Sequence, residues 1–343
     1  MLYVSPQFSA QEVNRSARMI LASADGDDLQ HYRDVVDNWR AAHQYPLNAI
    51  YVTLKSRASK LNSKALTAQR IKRLASIRAK LLDQPDMKLS QMQDIGGCRA
   101  VMPTLAEAYA LRNQYNARPI SHQLMSEKDY IADPKPTGYR GIHLKYKCGG
   151  AGKVAKWRGL KTEVQIRSQL QHTWATAVEA AATFNNAQFK SNRGDEHWLR
   201  FFALMSSLFA LREGSRAVPG TPSTEAKLVR EIRSVNKIAH IAGTFDRYAA
   251  LIPHIQNRKD AYYFLISLDP LESKVLVTGF KKSWRDAATR AYADAERALP
   301  EKTTKQVVLV SVGSVKTLQK AYPNYFLDTQ SFLEEVRHVV GVL

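Results

Sequence analysis

Cysteine and long apolar runs are scarce in this chain of 343 residues. Its two cysteines, Cys98 and Cys148, form neither a disulfide framework nor a metal-ligand spacing. The longest apolar stretches, residues 201–211 and 261–268, are too short or too interrupted to span a bilayer. The first residues lack the basic-then-apolar order of a signal peptide. These absences exclude disulfide-rich secreted proteins and membrane-spanning proteins, and we expect a cytoplasmic globular protein without a membrane partner.

Acidic residues are also scarce, and one long tract has none. Lys and Arg number 50 against 31 Asp and Glu, which gives a net charge of +19. A positive field of this size attracts polyanions and makes binding salt-dependent. Residues 38–82 contain no acidic residue but ten basic ones, namely Arg40, Lys55, Arg57, Lys60, Lys64, Arg70, Lys72, Arg73, Arg78 and Lys80. The tract favours contact with nucleic acid; the alternative is a solvated basic helix face.

Residues 163–167, Glu-Val-Gln-Ile-Arg, predict a strand with two different faces. Side chains alternate across a strand, so Glu163, Gln165 and Arg167 share one face and the two aliphatic residues share the other. A carboxylate, an amide and a guanidinium in a row are suited to a pocket wall that holds a hydroxyl, a phosphate and a metal ion. An ordinary exposed strand face is the alternative.

Four stretches, in order along residues 35–185, resemble the synthetase domain of the RelA/SpoT family. They are Arg70-x-Lys72-x-x-x-Ser76-Ile77-x-x-Lys80, Asp94-Ile95-Gly96-Gly97-Cys98-Arg99, Gly138-Tyr139-Arg140-Gly141-Ile142-His143 and Glu163-Val164-Gln165-Ile166-Arg167. Members of that family move a pyrophosphate from ATP to a ribose 3′-hydroxyl. The resemblance implies an α/β fold with a mixed sheet covered by helices, of the nucleotidyltransferase-like type of these synthetases.

Periodicity and turn residues predict the elements of that fold. We expect strands at 98–102, 120–127, 141–147, 161–167, 261–268, 273–280 and 305–312. We expect helices at 8–24, 28–43, 47–61 after a break at Tyr45-Pro46, 74–82, 105–116, 168–184, 195–213, 224–250, 283–298, 314–320 and 328–340. The predicted domains are a synthetase domain at 1–215, a linker at 216–225 and a small α/β regulatory domain at 226–343.

The resemblance also implies roles for individual side chains. Asp94 is the expected Mg²⁺ ligand, with a turn or capping role as the alternative. Glu163 is expected to receive the 3′-hydroxyl proton and to contact the metal; a salt bridge to Arg167 is the alternative. The expected ATP-binding residues are Arg70, Lys72, Ser76, Lys80 and Arg99, and the expected acceptor-binding residues are Lys135, Tyr139, His143, Gln165 and Arg167. Tyr139 is expected to stack on the acceptor's base, which completes a catalytic set with Asp94 and Glu163.

The closing helix departs from the alarmone synthetases of the family. Where those carry Trp-Ala-Ser-Leu-Glu-His and a lysine-rich end, this chain has Trp174-Ala175-Thr176-Ala177-Val178-Glu179 and then alanines. In this respect it resembles the toxic branch of small RelA/SpoT enzymes, many of which modify the CCA end of tRNA and block translation. An alarmone synthetase that makes (p)ppGpp or (p)ppApp is the alternative. A catalytically idle RNA-binding module is a third hypothesis.

The C-terminal part carries a tyrosine pair, Tyr322 and Tyr325, around a proline. The pair resembles the Tyr-x-x-Tyr motif of the CapRel proteins, which are fused toxin–antitoxins of phage defence. That resemblance implies a degenerate zinc-finger-like domain that obstructs the ATP site until a phage structural protein, such as a capsid protein, binds it. The lack of usable zinc ligands in this part agrees with a degenerate domain. Ordinary aromatic packing is the alternative, and the sequence leaves the oligomeric state open.

Overall fold

The computed structural model describes residues 3–22, 29–184, 195–249, 254–255, 261–269, 272, 274–299, 305–311 and 329–341. Its helices are α1 (Ala10–Leu21), α2 (Leu29–Ala42), α3 (Gln44–Leu61), α4 (Leu74–Asp83), α5 (Leu105–Ala117), α6 (Gln169–Phe184), α7 (Glu196–Arg212), α8 (Glu225–Ala239), α9 (Ile241–Ala249), α10 (Arg285–Arg297) and α11 (Gln330–Val340). Its strands are β1 (Leu66–Ile71), β2 (Gly96–Met102), β3 (Gln123–Asp129), β4 (Ile142–Lys147), β5 (Lys161–Ser168), β6 (His254–Ile255), β7 (Tyr263–Asp269), β8 (Lys274–Phe280) and β9 (Gln306–Ser311). Within these ranges, none of the helices has the length and apolarity needed to cross a membrane.

The described strands form one sheet in the order β3-β4-β5-β2-β1-β9-β7-β8-β6. The β2–β5 and β6–β8 pairs are parallel, while the other neighbours are antiparallel. The sheet is therefore mixed and covered by helices, which confirms the predicted α/β class.

Alternation along β2 and β5 separates the two faces of the sheet. Cys98, Ala100, Val164 and Ile166 are buried in one cluster with the apolar side chains of α3 and α5. The residues between them on the same strands, including Glu163, point to the opposite face, because the side-chain period of a strand is two. Helices α3 and α5 thus cover one face and leave the other available for a site.

Helices α1 and α2 pack against α4 rather than against the sheet. Val13 and Val35 share a buried cluster with Ile77 of α4 and with Ile95, which follows Asp94. Two apolar residues of α4, Ile77 and Leu81, are buried in this cluster. The N-terminal helices therefore pack against the side of α4 that carries Ile77 and Leu81.

The C-terminal strands continue the same sheet. Strand β9 pairs with β1 through Gln69↔Ser311 and Arg70↔Val310. Helix α10 lies on the same face as α3, where Gln44 Nε2 donates to Thr289 Oγ1 at 3.4 Å. Helix α11 packs in one apolar cluster with α6, α7, α8 and α9. The predicted boundary at 216–225 remains a prediction, and the two parts that it separates share the sheet and this cluster.

Three predicted elements differ from the structure. The prediction had no strand at 66–71, where β1 forms between β2 and β9. The predicted break at Tyr45-Pro46 lies two residues earlier, at His43, because α3 begins at Gln44. Pro46 lies in the first turn of α3, where no intrahelical N–H bond is lost. The predicted helix 224–250 is two helices, separated at His240 by left-handed backbone with φ 48°. The predicted helix 314–320, Tyr322 and Tyr325 lie outside the described residues.

Candidate active site

A cleft of about 380 Å³ opens on the face of the sheet opposite α3. It contains every predicted site residue of the synthetase part except Ser76, which lies on α4 one turn before Lys80, is not among the lining residues and remains a prediction. The lining residues are Ala68, Arg70, Lys72, Lys80, Asp94, Gly97, Cys98, Arg99, Tyr130, Lys135, Tyr139, His143, Lys145, Glu163, Gln165, Arg167 and Glu179.

Asp94 holds two predicted ATP-binding lysines at one end of the cleft. Lys72 Nζ lies 2.7 Å from Oδ2 and Lys80 Nζ lies 3.0 Å from Oδ1, so both carboxylate oxygens have a cationic partner. Burial alone would raise the pKa of Asp94, but the two ammonium groups outweigh it and lower the pKa to about 2. The carboxylate is therefore ionised at neutral pH and holds both lysines in the cleft wall.

This pKa predicts how stability depends on pH. Because the folded pKa lies below the ordinary value of about 3.9, the stabilisation is present above about pH 4 and is lost as the pH falls through about 2. In wild type the free energy of unfolding should decrease as the pH is lowered through that window. Asp94→Asn removes the titrating carboxyl group and should reduce the slope of that decrease by up to about 1.4 kcal/mol per pH unit. Urea unfolding of both proteins across the window measures this. Asp286→Asn, at an aspartate whose side chain is 74% exposed, is the control; equal slopes for wild type and Asp94→Asn would contradict the prediction.

Glu163 lies in a chain of hydrogen bonds in the same cleft. His143 Nδ1 lies 2.9 Å from its Oε1, and Gln165 Nε2 donates to its Oε2 at 2.8 Å. The second ring nitrogen of His143 lies 2.5 Å from the Tyr139 hydroxyl, which also accepts from Arg167 Nη2 at 3.0 Å. Burial alone would raise the pKa of Glu163, but the bonds from His143 and Gln165 outweigh it and lower the pKa. Glu163 is therefore an ionised carboxylate in a fixed orientation.

Tyr139, predicted to stack on a base, is 7% exposed. Its ring meets Trp174 edge-on, and Lys135 and Arg167 lie over it at 5.5 Å and 5.2 Å from the centroid. Burial raises the pKa of its hydroxyl even though Arg167 opposes that shift. The ring is thus held tightly, with its hydroxyl tied to the Glu163 chain.

Tyr130 is a half-buried aromatic side chain in the same half of the cleft. Its ring lies 5.3 Å from that of His143 and 5.8 Å from that of Tyr139, and Lys135 Nζ lies 4.6 Å from its centroid. No role was predicted for Tyr130 from the sequence. The signal that could have found it is its position shortly before the Gly138 loop.

The loop before β4 depends on a glycine. Gly138 has φ 93°, and a Cβ there would lie 2.8 Å from the Trp174 ring, so both the backbone and the space require glycine. Ser206 of α7 donates to the Gly138 carbonyl at 2.6 Å. Helices α6 and α7 therefore fix the loop that presents Tyr139 to the cleft.

Cations outnumber acids in the cleft wall. Two further charged residues that the sequence analysis did not assign, Lys145 on β4 and Glu179 on α6, line it as well. The wall carries seven Lys or Arg residues and three carboxylates, Asp94, Glu163 and Glu179. Within the described ranges, no group of three or more His, Cys, Asp and Glu side chains is placed to hold a metal ion. Such a wall is suited to ligands that carry several negative charges.

The basic tract of residues 38–82 is divided among different environments. Arg40 is 3% exposed, Arg57 packs over the Tyr115 ring at 4.4 Å, and Lys72 and Lys80 pair with Asp94. Those of its basic side chains that are mostly exposed are Lys55, Lys60 and Lys64. Lys55 and Lys60 lie on α3, behind the sheet from the cleft. The basic side chains of the tract are therefore divided between the cleft, buried contacts and exposed positions, and the nucleic-acid contact remains a prediction.

Part of the chain is similar to known proteins. Residues 69–188 match the model of the region found in RelA / SpoT proteins. A putative ankyrin repeat protein of Rickettsia felis is 35% identical over 138 residues, 39% of this chain and 10% of that protein. The GTP pyrophosphokinase YwaC of Bacillus subtilis is 29% identical over 116 residues, 32% of this chain and 54% of that protein. The chain thus spans about half, or much less, of these curated relatives.

Among solved structures, small alarmone synthetase 1 from Bacillus subtilis, bound to its product pppGpp, superposes with a TM-score of 0.43 at 21% identity. The superposition covers 50% of this chain and 89% of that one. Every residue that lines the cleft, except Ala68, lies within the stretch that matches the RelA/SpoT region, residues 69–188.

Proposed function

We propose that this protein is a pyrophosphokinase, which transfers the β,γ-pyrophosphoryl group of ATP to a ribose 3′-hydroxyl. The observation that carries the proposal is a single cleft that contains both Asp94 with its two lysines and the Glu163 carboxylate, which His143 orients. The relatives named as GTP pyrophosphokinases support the reaction class.

In this proposal the triphosphate binds at the Asp94 end, where Arg70, Lys72, Lys80 and Arg99 supply positive charge. Mg²⁺ in nucleotide sites is bound by one or two carboxylates together with substrate phosphates, and Asp94 and Glu163 in one cleft fit that donor set. The metal would neutralise charge on the phosphates. The protein's contribution is positioning and charge stabilisation, as in other phosphoryl transfers. Lys72 and Lys80 would pass from Asp94 to phosphate oxygens when the nucleotide enters.

The acceptor binds at the Glu163 end. Glu163 accepts the proton of the 3′-hydroxyl, whose oxygen forms a bond to the β-phosphorus while the bond from that phosphorus to the α–β bridging oxygen breaks, and AMP leaves. The bonds from His143 and Gln165 keep the carboxylate oriented toward the attacking oxygen. Tyr130 provides the accessible aromatic surface for the acceptor's base, beside the buried ring of Tyr139, and Lys135 and Arg167 provide charge for the acceptor's phosphates.

We further propose the 3′-adenosine of tRNA as the acceptor, which would make the protein a translation inhibitor. The altered closing helix supports this, since Glu179 lines the cleft at a point where the alarmone synthetases carry a different pattern. The excess of cations in the cleft wall is compatible with either acceptor. The alternative, an alarmone synthetase, is supported by the names of the curated relatives.

Regulation by the C-terminal part belongs to the same proposal. We infer that residues 226–343 restrain the enzyme and sense a phage structural protein, on the strength of the Tyr322 and Tyr325 pair. Both tyrosines lie outside the described residues, so the support comes from the motif alone.

The experiment that tests the reaction uses ATP labelled on its γ-phosphate. Purified protein is incubated with Mg²⁺ and, separately, with deacylated tRNA, GDP, GTP and AMP. Label on tRNA would support the toxin function, and label on free nucleotides alone would support the alarmone synthetase. Transfer to tRNA should also fall steeply between about 50 and about 200 mM salt, because many phosphate contacts release counterions. Because residues 226–343 are proposed to restrain the enzyme, a form truncated before residue 226 is assayed beside the full chain, and no transfer to any acceptor by either form would contradict the proposed reaction.

Tyr130 offers a test of the acceptor half. Tyr130→Ala should raise KM for the acceptor about tenfold, because base–aromatic stacking is worth about 1–3 kcal/mol, and should leave KM for ATP within about twofold. Tyr130→Phe keeps the ring and should behave like wild type. Initial rates at varied acceptor and varied ATP measure both constants; an equal rise in the two KM values would contradict the assignment.

A further inference from the structure

A glutamate of the C-terminal part lies at the first turn of α4. The Leu74 amide, the first N–H of that helix, donates to Glu296 Oε1 at 2.8 Å. Helix α4 has no capping bond from its own Arg73 side chain and no acidic residue in its first turn. An N-terminus needs acceptors and favours negative charge. Glu296, more than 220 residues away in sequence, supplies both.

Arg40 joins the same carboxylate to the chain on the other side of Leu74. Its guanidinium is 3% exposed and donates to Glu296 Oε2 at 2.8 Å and to the Tyr292 hydroxyl at 2.7 Å. Its Nε donates to the carbonyl of Lys72 at 3.2 Å. The Tyr292 hydroxyl donates in turn to Glu296 Oε1 at 2.9 Å. A buried Arg–Glu–Tyr group from α2 and α10 therefore fixes the backbone of residues 72–74.

Residues 72–74 connect the cations of the nucleotide half. They follow Arg70 on β1 and lead into α4, which carries Lys80. The Lys72 amide donates to the Ile95 carbonyl at 2.8 Å, next to Asp94. Arg73 Nη1 donates to Gln306 Oε1 of the C-terminal part at 2.6 Å. Any shift of Glu296 would therefore move the segment that spaces Lys72 from Lys80.

We infer that Glu296, held by Arg40 and Tyr292, is a positioning residue for the nucleotide half of the cleft, and that the C-terminal part is a component of the ATP site. The inference rests on the proposed function, because it assumes that this half binds ATP. If the C-terminal part were a restraint alone, removal of α10 would not weaken nucleotide binding. Under this inference, removal of α10 does weaken it.

The test measures binding of α,β-methylene ATP with Mg²⁺ by calorimetry, because that analogue blocks the bond cleavage of the proposed reaction. Glu296→Ala in the full chain should weaken binding about tenfold, which corresponds to about 1.4 kcal/mol. Glu296→Gln keeps an oxygen for the Leu74 amide and should lose less. Asp294→Ala, on the same helix with a side chain that is 72% exposed, is the matched control and should bind like wild type.

Kinetics separate positioning from a general loss of stability. The Glu296 variants should raise KM for ATP and leave KM for the acceptor within about twofold, whereas a merely structural role would lower the melting temperature with no change in either KM. Should Glu296→Ala fail to fold, Tyr292→Phe removes the hydroxyl between Arg40 and Glu296 and should raise KM for ATP about threefold. If wild type binds the analogue and the Glu296 variants bind it equally well, this inference is wrong and the proposed function is unaffected. Absence of binding by wild type would overturn the proposed function together with it.

Discussion

Replacing Glu163 by glutamine is expected to lower kcat about a thousandfold and to leave KM for ATP within about threefold. A positioned general base contributes about 10²–10⁴ to a rate, and the amide cannot accept the proton of the attacking hydroxyl. The substitution keeps the size of the side chain and a hydrogen-bond acceptor for His143. Steady-state transfer of labelled pyrophosphate, with melting temperatures measured alongside, gives the result.

Glu127→Gln is the matched control for that substitution. Glu127 lies on β3, is half-buried and accepts from Arg112 Nε at 2.5 Å, but it is not part of the cleft wall. We expect it to leave kcat within about twofold. If Glu163→Gln lost less than about tenfold in kcat, the base would have to be another group, and the proposed mechanism would be wrong.

Replacing Phe332 by alanine is expected to lower the free energy of unfolding of the chain by about 3–5 kcal/mol. Phe332 is 1% exposed, and its ring centroid lies 5.2 Å from that of Phe245 and 6.2 Å from that of Phe202. Phe202 in turn accepts from the Trp174 indole at its carbonyl, beside the Gly138 loop. The cavity would therefore open in the cluster that supports the acceptor half of the cleft.

Denaturant unfolding followed by circular dichroism and by activity would measure the Phe332 effect. Leu276→Ala deletes apolar atoms at a side chain that is 49% exposed, and it should change stability by less than about 0.5 kcal/mol. Loss of activity together with secondary structure in one transition would mean that α11 and the cleft unfold as a unit. A separate early transition that spares activity would contradict this and favour an independent C-terminal domain.

The sequence contains enough local information to locate much of the candidate site. Alternation along residues 163–167 places Glu163, Gln165 and Arg167 on one face, and the structure has them in one cleft wall. The strand period and the turn residues depend only on residues that are neighbours in sequence, so both can be recognised without knowledge of the fold. The four stretches that resemble the RelA/SpoT synthetases add order along the chain, and these stretches meet at the cleft.

What the sequence could not indicate depends on residues that are distant along the chain. The sequence of β1 alone does not indicate a strand. Its pairing partners are β2 and β9, and β9 lies far along the chain. Arg40 belongs to a basic tract by sequence, yet it is buried against Glu296 and Tyr292. Tyr139 was expected to stack on a base, but its ring is buried because it packs against Trp174 and because Ser206 of α7 holds the Gly138 loop. None of these contacts has a local signature.

The position of β1 inside the sheet has a consequence for how the protein is made. One edge of β1 pairs with β2, about 30 residues downstream, but the other pairs with β9, which leaves the ribosome some 240 residues later. Until β9 has been synthesised, one edge of β1, the strand that contributes Arg70 to the cleft, has unpaired backbone N–H and C=O groups. Such an edge can pair with a strand of another chain. Synthesis of β9 therefore closes that edge and completes the sheet beside Arg70.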